Sequence, residues 1–279
     1  MSDPTKVADP LATRGRRGGL RSVSRPIAGV DGNADANWHR LTRERLLGLP
    51  VQTSAPNDPC NLPGGYVAMP AVRNPGSAEV APVRLSAVAG CDGLPRPEVH
   101  EPRARQLLDD NTDRELEIEL SARLAALASS GTAVAGDPTD LTSTPALAVD
   151  ALTGIGVAIA AVRGTVGFGG ELTIVLPEWT QPKLLATQAF TRVGDAWRLG
   201  DHGVLWGAGI TGAGPTGAPT PGAWEFWAWV VAGLEHALHP TVSVLQEGIR
   251  PLNLDSFRAQ RLAYVDFEPA AARAVLVHP

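Results

Sequence analysis

The longest regular pattern in the chain lies at Pro102–Ala128. Leu116, Leu120, Leu124 and Leu127 recur at spacings of four, four and three, with Leu108 and Thr112 on the same line. That period places them on one face of an α-helix. Arg114, Glu115, Glu117, Glu119 and Arg123 fill the other faces. Pro102 suits a first turn, where its missing N–H is no loss, and Gly131 ends the pattern. At about 1.5 Å per residue the helix is roughly 40 Å long.

Upstream no such period exists. Twelve of the 24 prolines precede His100. Residues 1–37 read as an irregular arm rich in Gly, Pro, Arg and Asp. Trp38, Leu41, Leu46 and Leu49 predict a short helix stopped by Pro50. From 50 to 100, prolines at 50, 56, 59, 63, 70, 75, 82, 95 and 97 forbid helices and central strands. Only Gly65–Pro70 and Val83–Ala89 remain as strands, read as a long two-stranded excursion around the turn signal Asn74–Ser77.

Downstream the pattern changes to short Ala/Gly/Val-rich segments. Asp137–Thr144 is a turn. Pro145–Arg163 predicts an Ala-rich helix with Leu147, Leu152, Ile155 and Ile159 inward. Glu171–Leu176 reads as a buried strand, Glu178–Phe190 as a helix, and Trp197–Leu199 with Gly203–Trp206 as a hairpin. Ala208–Gly222 is a Gly/Pro loop and Trp224–Val231 a strand. Val242–Leu245, Gln260–Phe267 and Ala274–Val277 close the chain as strands. One long helix with antiparallel sheets defines an α+β fold.

Composition narrows the classes. With 44% apolar and 19% charged residues the chain is globular overall. No run of 18 apolar residues exists, so no membrane partner is expected. The start MSDPTKVADP lacks the apolar core of a secretory signal. Cys60 and Cys91 lie in no CxxC pattern and fit a reducing cytoplasm better than a disulfide framework. The net charge of −5 argues against a general nucleic-acid binder.

The charge is uneven, however. Residues 1–50 carry nine basic and five acidic side chains, and residues 101–130 carry four and seven. Between Leu11 and Ile27 stand Arg14, Arg16, Arg17, Arg21 and Arg25 with no acid. Such an arm has no core of its own and needs another surface. An acidic helix face, in the same chain or a neighbour, is the natural one.

Candidate chemistry is sparse. Gly207, Gly209 and Gly212 fit GxGxxG. A dinucleotide site needs a helix to begin there, and this motif runs into AGPTGAPTPG instead. Lys6 and Lys183 are the only lysines, and neither follows a glycine loop. His236 and His239, with Glu235 nearby, read as a surface turn before Pro240. The acids from Asp109 to Glu119 read as a solvated helix face, or as a docking face for a neighbour's arginine arm. Of seven tryptophans, Trp179, Trp197, Trp206, Trp224, Trp227 and Trp229 fall late. Most read as core, while Trp227 and Trp229 share a strand face and are candidate interface anchors. No set of nucleophile, base and oxyanion donors assembles. No enzyme, cofactor or metal is expected.

The order of parts resembles the Hong Kong 97-type capsid fold of tailed bacteriophages. RQLLDDNTDRELEIELSARL is similar to the spine-helix start of capsid-like proteins of actinobacterial phages. GELTIVLPEWTQPKLLATQAF with the following loop is similar to their axial portion, and FRAQRLAYVDFEPAAARAVLV to their C-terminal strands. The resemblance covers most of residues 100–279 and is architectural before that. It implies an N-terminal arm over 1–55, an E-loop-like excursion over 56–100 and a peripheral domain with the spine helix over 101–145. An axial domain over 146–240 and returning peripheral strands over 241–279 complete it. The implied function is a head-shell subunit, major or pentamer-forming, assembled in the bacterial cytoplasm and resident in the virion. Implied partners are copies of the chain, a second capsid or decoration protein, and packaged double-stranded DNA. Inter-subunit contacts are expected at Arg14, Arg16, Arg17, Arg21, Arg25, Trp227 and Trp229. Some shells of this fold are cross-linked by an E-loop lysine to a neighbour's asparagine, but residues 60–100 contain no lysine. An encapsulin-like shell is the second reading. An enzyme using the Gly207–Gly212 loop for a nucleotide is the third.

Overall fold

The leucine stripe does form a helix, α2 (Pro97–Ala125), which opens at Pro97 and takes Pro102 inside it. Leu108, Thr112, Leu116, Leu120 and Leu124 are all buried. The computed structural model that shows this describes residues 19–26, 41–44, 77–80, 83–92, 97–129, 139–142, 147–166, 170–238, 240–246 and 254–279.

Before α2 come a single helical turn, α1 (Leu20–Val23), and strands β1 (Arg25–Pro26), β2 (Leu41–Glu44), β3 (Ser77–Val80) and β4 (Val83–Asp92). After it come β5 (Val149–Asp150), α3 (Ala151–Val166), β6 (Leu172–Pro177), a 3-10 turn (Glu178–Thr180) and α4 (Gln181–Ala186). Then follow β7 (Thr191–Val193), β8 (Ala196–Leu199), β9 (His202–Gly207), β10 (Phe226–Leu238), β11 (Val242–Gln246) and β12 (Leu254–His278). The main sheet has ten strands on the path β11-β12-β10-β6-β9-β8-β7, with β1 on β10 and with β4 and β5 on β12. β6 and β9 run parallel; β10 is antiparallel to both β6 and β12.

Strand side chains alternate between two faces, and here both faces are covered. Trp227, Trp229 and Val231 of β10, Val175 of β6 and Leu205 of β9 join the leucines of α2 in one core. Phe226, Ala228, Val230, Leu172, Ile174, Leu176, Val204 and Trp206 join Ile155, Ala158 and Val162 of α3 and Leu184 of α4 in the other. The result is three layers with the sheet in the middle. It explains why β6 and β9 are buried at every position and read as continuous apolar runs.

Tertiary pairing overrides several local patterns. The helix expected over 38–49 is a strand at Leu41–Glu44, paired with β3. A few apolar positions ending at a proline make too short a helix to stand alone, and β3 supplies a ladder instead. Val83–Ala89 does form β4, but its partner is β12, from Ala263↔Val83 to Leu254↔Asp92. The expected partner Gly65–Pro70 lies outside the described residues. α3 starts at Ala151, so Leu147 is exposed at 64%. Glu178–Phe190 breaks after Ala186, and Gln188 takes φ 58 to turn the chain into β7. His236, expected in a surface turn before Pro240, lies instead near the end of β10, held between β12 and β1. The last two expected strands are one, β12.

Candidate functional site

Beside the leucine stripe of α2 runs a second line. Asp113, Glu117 and Ser121 stand four apart, and all three are buried, at 5%, 0% and 8%. Each receives a different piece of chain. Arg21 of α1 donates to Asp113 through Nε at 2.5 Å and Nη2 at 3.3 Å. The Gly209 N–H donates to the Glu117 carboxylate at 3.1 Å. The Thr211 N–H donates to the Ser121 hydroxyl at 3.2 Å. The acids from Asp109 to Glu119 are therefore not one solvated face. Asp109, Asp110 and Glu115 are solvent-facing, while Asp113 and Glu117 are joints. The fourfold spacing of polar residues next to a leucine stripe was the available signal.

The glycine motif is explained by this joint. A Cβ on Gly209 would lie 2.6 Å from both the Arg114 carbonyl and the Ile118 nitrogen, so only glycine lets the loop lie on the helix backbone. Further along, the Thr216 N–H donates to the Leu127 carbonyl at 2.7 Å, and the Thr216 hydroxyl donates to the Ala125 carbonyl at 2.8 Å. These bonds satisfy carbonyls at the end of α2. No helix begins at Gly207–Gly212, and the Gly209 N–H is already engaged. The geometry of a nucleotide loop is not present.

α1 and β1 clip the arm to the same helix and sheet. Gly19 passes so close that a Cβ would meet Asp113 Oδ2 at 2.8 Å. Arg25 and Pro26 pair in parallel with Glu235 and His236. β1 thus takes up the line of β10 past the end of β6, which pairs β10 only as far as Ala232. The Ser24 hydroxyl donates to the Leu20 carbonyl at 2.8 Å. Its oxygen then accepts the Nδ1–H of His236, also at 2.8 Å. Burial, and then the Arg21 guanidinium, lower the His236 pKa, while Asp113 acts in the opposite sense. Arg261 of β12 reaches Asp109, and Arg123 joins Glu119 at 2.7 Å to the Val265 carbonyl at 2.9 Å.

The expected contact residues divide. Arg14, Arg16 and Arg17 lie outside the described residues. Arg21 is held by Asp113 of its own chain, and Arg25 is exposed beside β10. Trp227 and Trp229 share a strand face as expected, but that face points at α2. They are 0% and 1% exposed, and their indole N–H groups donate to Pro219 and Ala213 carbonyls of the loop at 3.2 and 3.0 Å. They anchor this subunit's own loop, so their rings are not open to a neighbour. His236 lies in β10, and His239 is outside the described residues. Among the described residues no group of three His, Cys, Asp or Glu is placed to hold a metal, and no helix is long and apolar enough to cross a membrane.

Neither a protein-family model nor a curated protein matches the chain. Solved structures do. The capsid of the native GTA particle aligns over 100% of this chain and 98% of its own, at 10% identity and TM-score 0.52. The capsid of the empty GTA particle aligns over 94% and 97%, at 12% identity and TM-score 0.51. The capsid of cyanophage P-SCSP1u aligns over 97% and 91%, at 10% identity and TM-score 0.52. The chain has the Hong Kong 97-type capsid fold.

Proposed function

We propose that this chain is a capsid subunit that assembles with copies of itself into the icosahedral head shell of a tailed bacteriophage. The observation that carries the reading is the end-to-end match of the whole architecture to shell subunits. The joints on α2 support it mechanically. The long helix, the glycine loop after β9 and the start of the arm are tied into one stiff body by Asp113, Glu117 and Ser121. A stiff body suits a head-to-tail contact repeated around a ring, which closes by rotation. Many weak contacts then hold the shell together. The chain acts through assembly, with no chemical step.

The finer parts belong to the same proposal. Residues 1–55 are the arm, residues 56–100 the E-loop-like excursion, residues 146–240 the axial portion and residues 101–145 and 241–279 the peripheral one; the arm contacts a neighbour or packaged double-stranded DNA. A decoration or second capsid protein completes the shell, which forms in the host cytoplasm and remains in the virion. Arg14, Arg16 and Arg17 carry the arm's contacts outward, while Arg21 fixes its root. Purified chain examined by light scattering and negative-stain electron microscopy should show rings or closed shells. Arg14, Arg16 and Arg17 replaced together by Ala should leave the subunit folded and lower assembly in a salt-dependent way. A monodisperse monomer at every salt and protein concentration would overturn the reading.

A further inference from the structure

Two tryptophans outside both cores present an aromatic surface. Trp224 is 70% exposed and Trp179 45% exposed. Their rings meet edge to face at 6.4 Å, and Trp179 stands on Phe226 at 5.5 Å. Lys183 of α4 places its Nζ 4.9 Å from the centroid of the Trp224 ring. The backbone beneath is held. The Glu225 N–H donates to the Gly222 carbonyl at 3.2 Å, and the Gly222 N–H donates to the Glu225 carboxylate at 2.7 Å. Trp224 is the third residue of that turn and has φ 67. Glycine is the residue that fits such a position without strain. A large apolar side chain in a strained turn, turned out to solvent, gains this subunit little.

We propose that the Trp179–Trp224 pair is the anchor by which one subunit grips a second copy of this chain. The proposal rests on the shell reading above and names the surface that reading lacks once Trp227 and Trp229 are found buried. The size of the patch fits a copy. At roughly 250 Å² per tryptophan, the two exposures come to about 290 Å². That is about a third of the roughly 800 Å² per partner that a free-standing stable complex buries. A lone partner would be held weakly by it. A ring repeats the contact at every subunit and gives each subunit two neighbours, so the same patch suffices there. Rigid tryptophans at the centre of a contact carry a large share of binding, and the ammonium of Lys183 over Trp224 strengthens as water leaves. Because a ring contact is head to tail, the receiving surface is a different face of the next copy.

The decisive variant is Trp224→Gly. It suits the positive φ, so the free subunit should keep its melting temperature and circular dichroism while particle yield at equal concentration falls at least about tenfold. Acrylamide quenching supplies a second readout. The fluorescence difference between the parent and a W179F/W224F variant isolates these two indoles. It should be readily quenched in the free subunit and shielded in particles. Normal particles from Trp224→Gly, or indoles that stay quenchable in particles, overturn the inference and leave the shell reading standing. Shielding that arises only when a different protein is added also overturns it. A parent chain that never oligomerises overturns both.

Discussion

Gly209→Ala tests whether the loop-to-helix joint is as tight as its geometry says. The added methyl would lie 2.6 Å from two backbone atoms of α2, the Arg114 carbonyl oxygen and the Ile118 nitrogen, and 2.8 Å from Glu117 Cβ. Real contacts of that kind are not seen, and a helix backbone cannot rotate away as a side chain can. Either α2 deforms or the loop lifts. Overpacking against unyielding atoms costs about 1–3 kcal/mol. Lifting the loop removes the bond from Gly209 to the Glu117 carboxylate, and bonds to charged groups contribute about 1.5–3 kcal/mol. These are two routes out of one clash, so they do not add, and the expected loss is about 1–3 kcal/mol. For a domain of this size that lowers the melting temperature by roughly 2–12 °C. Gly156→Ala is the matched control. Gly156 lies in α3, and a Cβ there meets nothing within 4 Å. Removing a helical glycine should stabilise by about 0.5–1 kcal/mol. Calorimetry or urea denaturation of the unassembled subunit reads both. A Gly209→Ala subunit within about 0.5 kcal/mol of the parent would refute the reasoning, as would equal losses from the two substitutions.

Arg21→Ala should leave the buried Asp113 carboxylate without its guanidinium and cost about 1–3 kcal/mol; amide exchange over residues 19–26 should accelerate about tenfold or more, and unchanged exchange would count against the clip. The same segment should loosen in acid. Burial lowers the pKa of His236, which bonds Ser24 of the clip, with Arg21 next. The released form therefore takes up a proton first. Its contribution is complete above about pH 6.5 and declines as pH falls from there through the lowered value. Protection of 19–26 should follow that limb, and His236→Gln should flatten it; pH-independence of the parent between 7 and 5 would refute the assignment. Particles boiled in denaturing detergent should release the monomer, because residues 60–100 contain no lysine for an isopeptide link and an arginine is a poor nucleophile there. A ladder that survives reductant would show otherwise.

Much of the fold was legible in one dimension. The leucine line of α2, the strands β6, β8, β9 and β11, and the loop at 208–222 follow from period and punctuation, which act within a few residues. Leu108, Leu116, Leu120 and Leu124 were named correctly for the same reason, a helix face being set by spacing, whereas Leu127 lies past the end of α2 and is half-buried. Partnership was not legible. Residues 41–44 became a strand because Ser77–Val80 lies alongside, and β4 lies against a strand some 170 residues on. Asp113 and Glu117 carry the same letters as their exposed neighbours Asp110 and Glu115. Only the docking of α1 and of the glycine loop makes them joints. The tryptophans show the limit most plainly. Trp224, Trp227 and Trp229 lie within six residues, and sequence placed the anchors at 227 and 229. Both faces of β10 are covered, by α2 on one side and by α3 on the other, so alternation alone cannot expose a side chain there. The exposed tryptophan is the one in the turn before β10, Trp224, at 70% and with φ 67. Periodicity fixed which residues share a face. What covers each face was decided by chain segments far away in sequence, and with it which surface is left for another molecule.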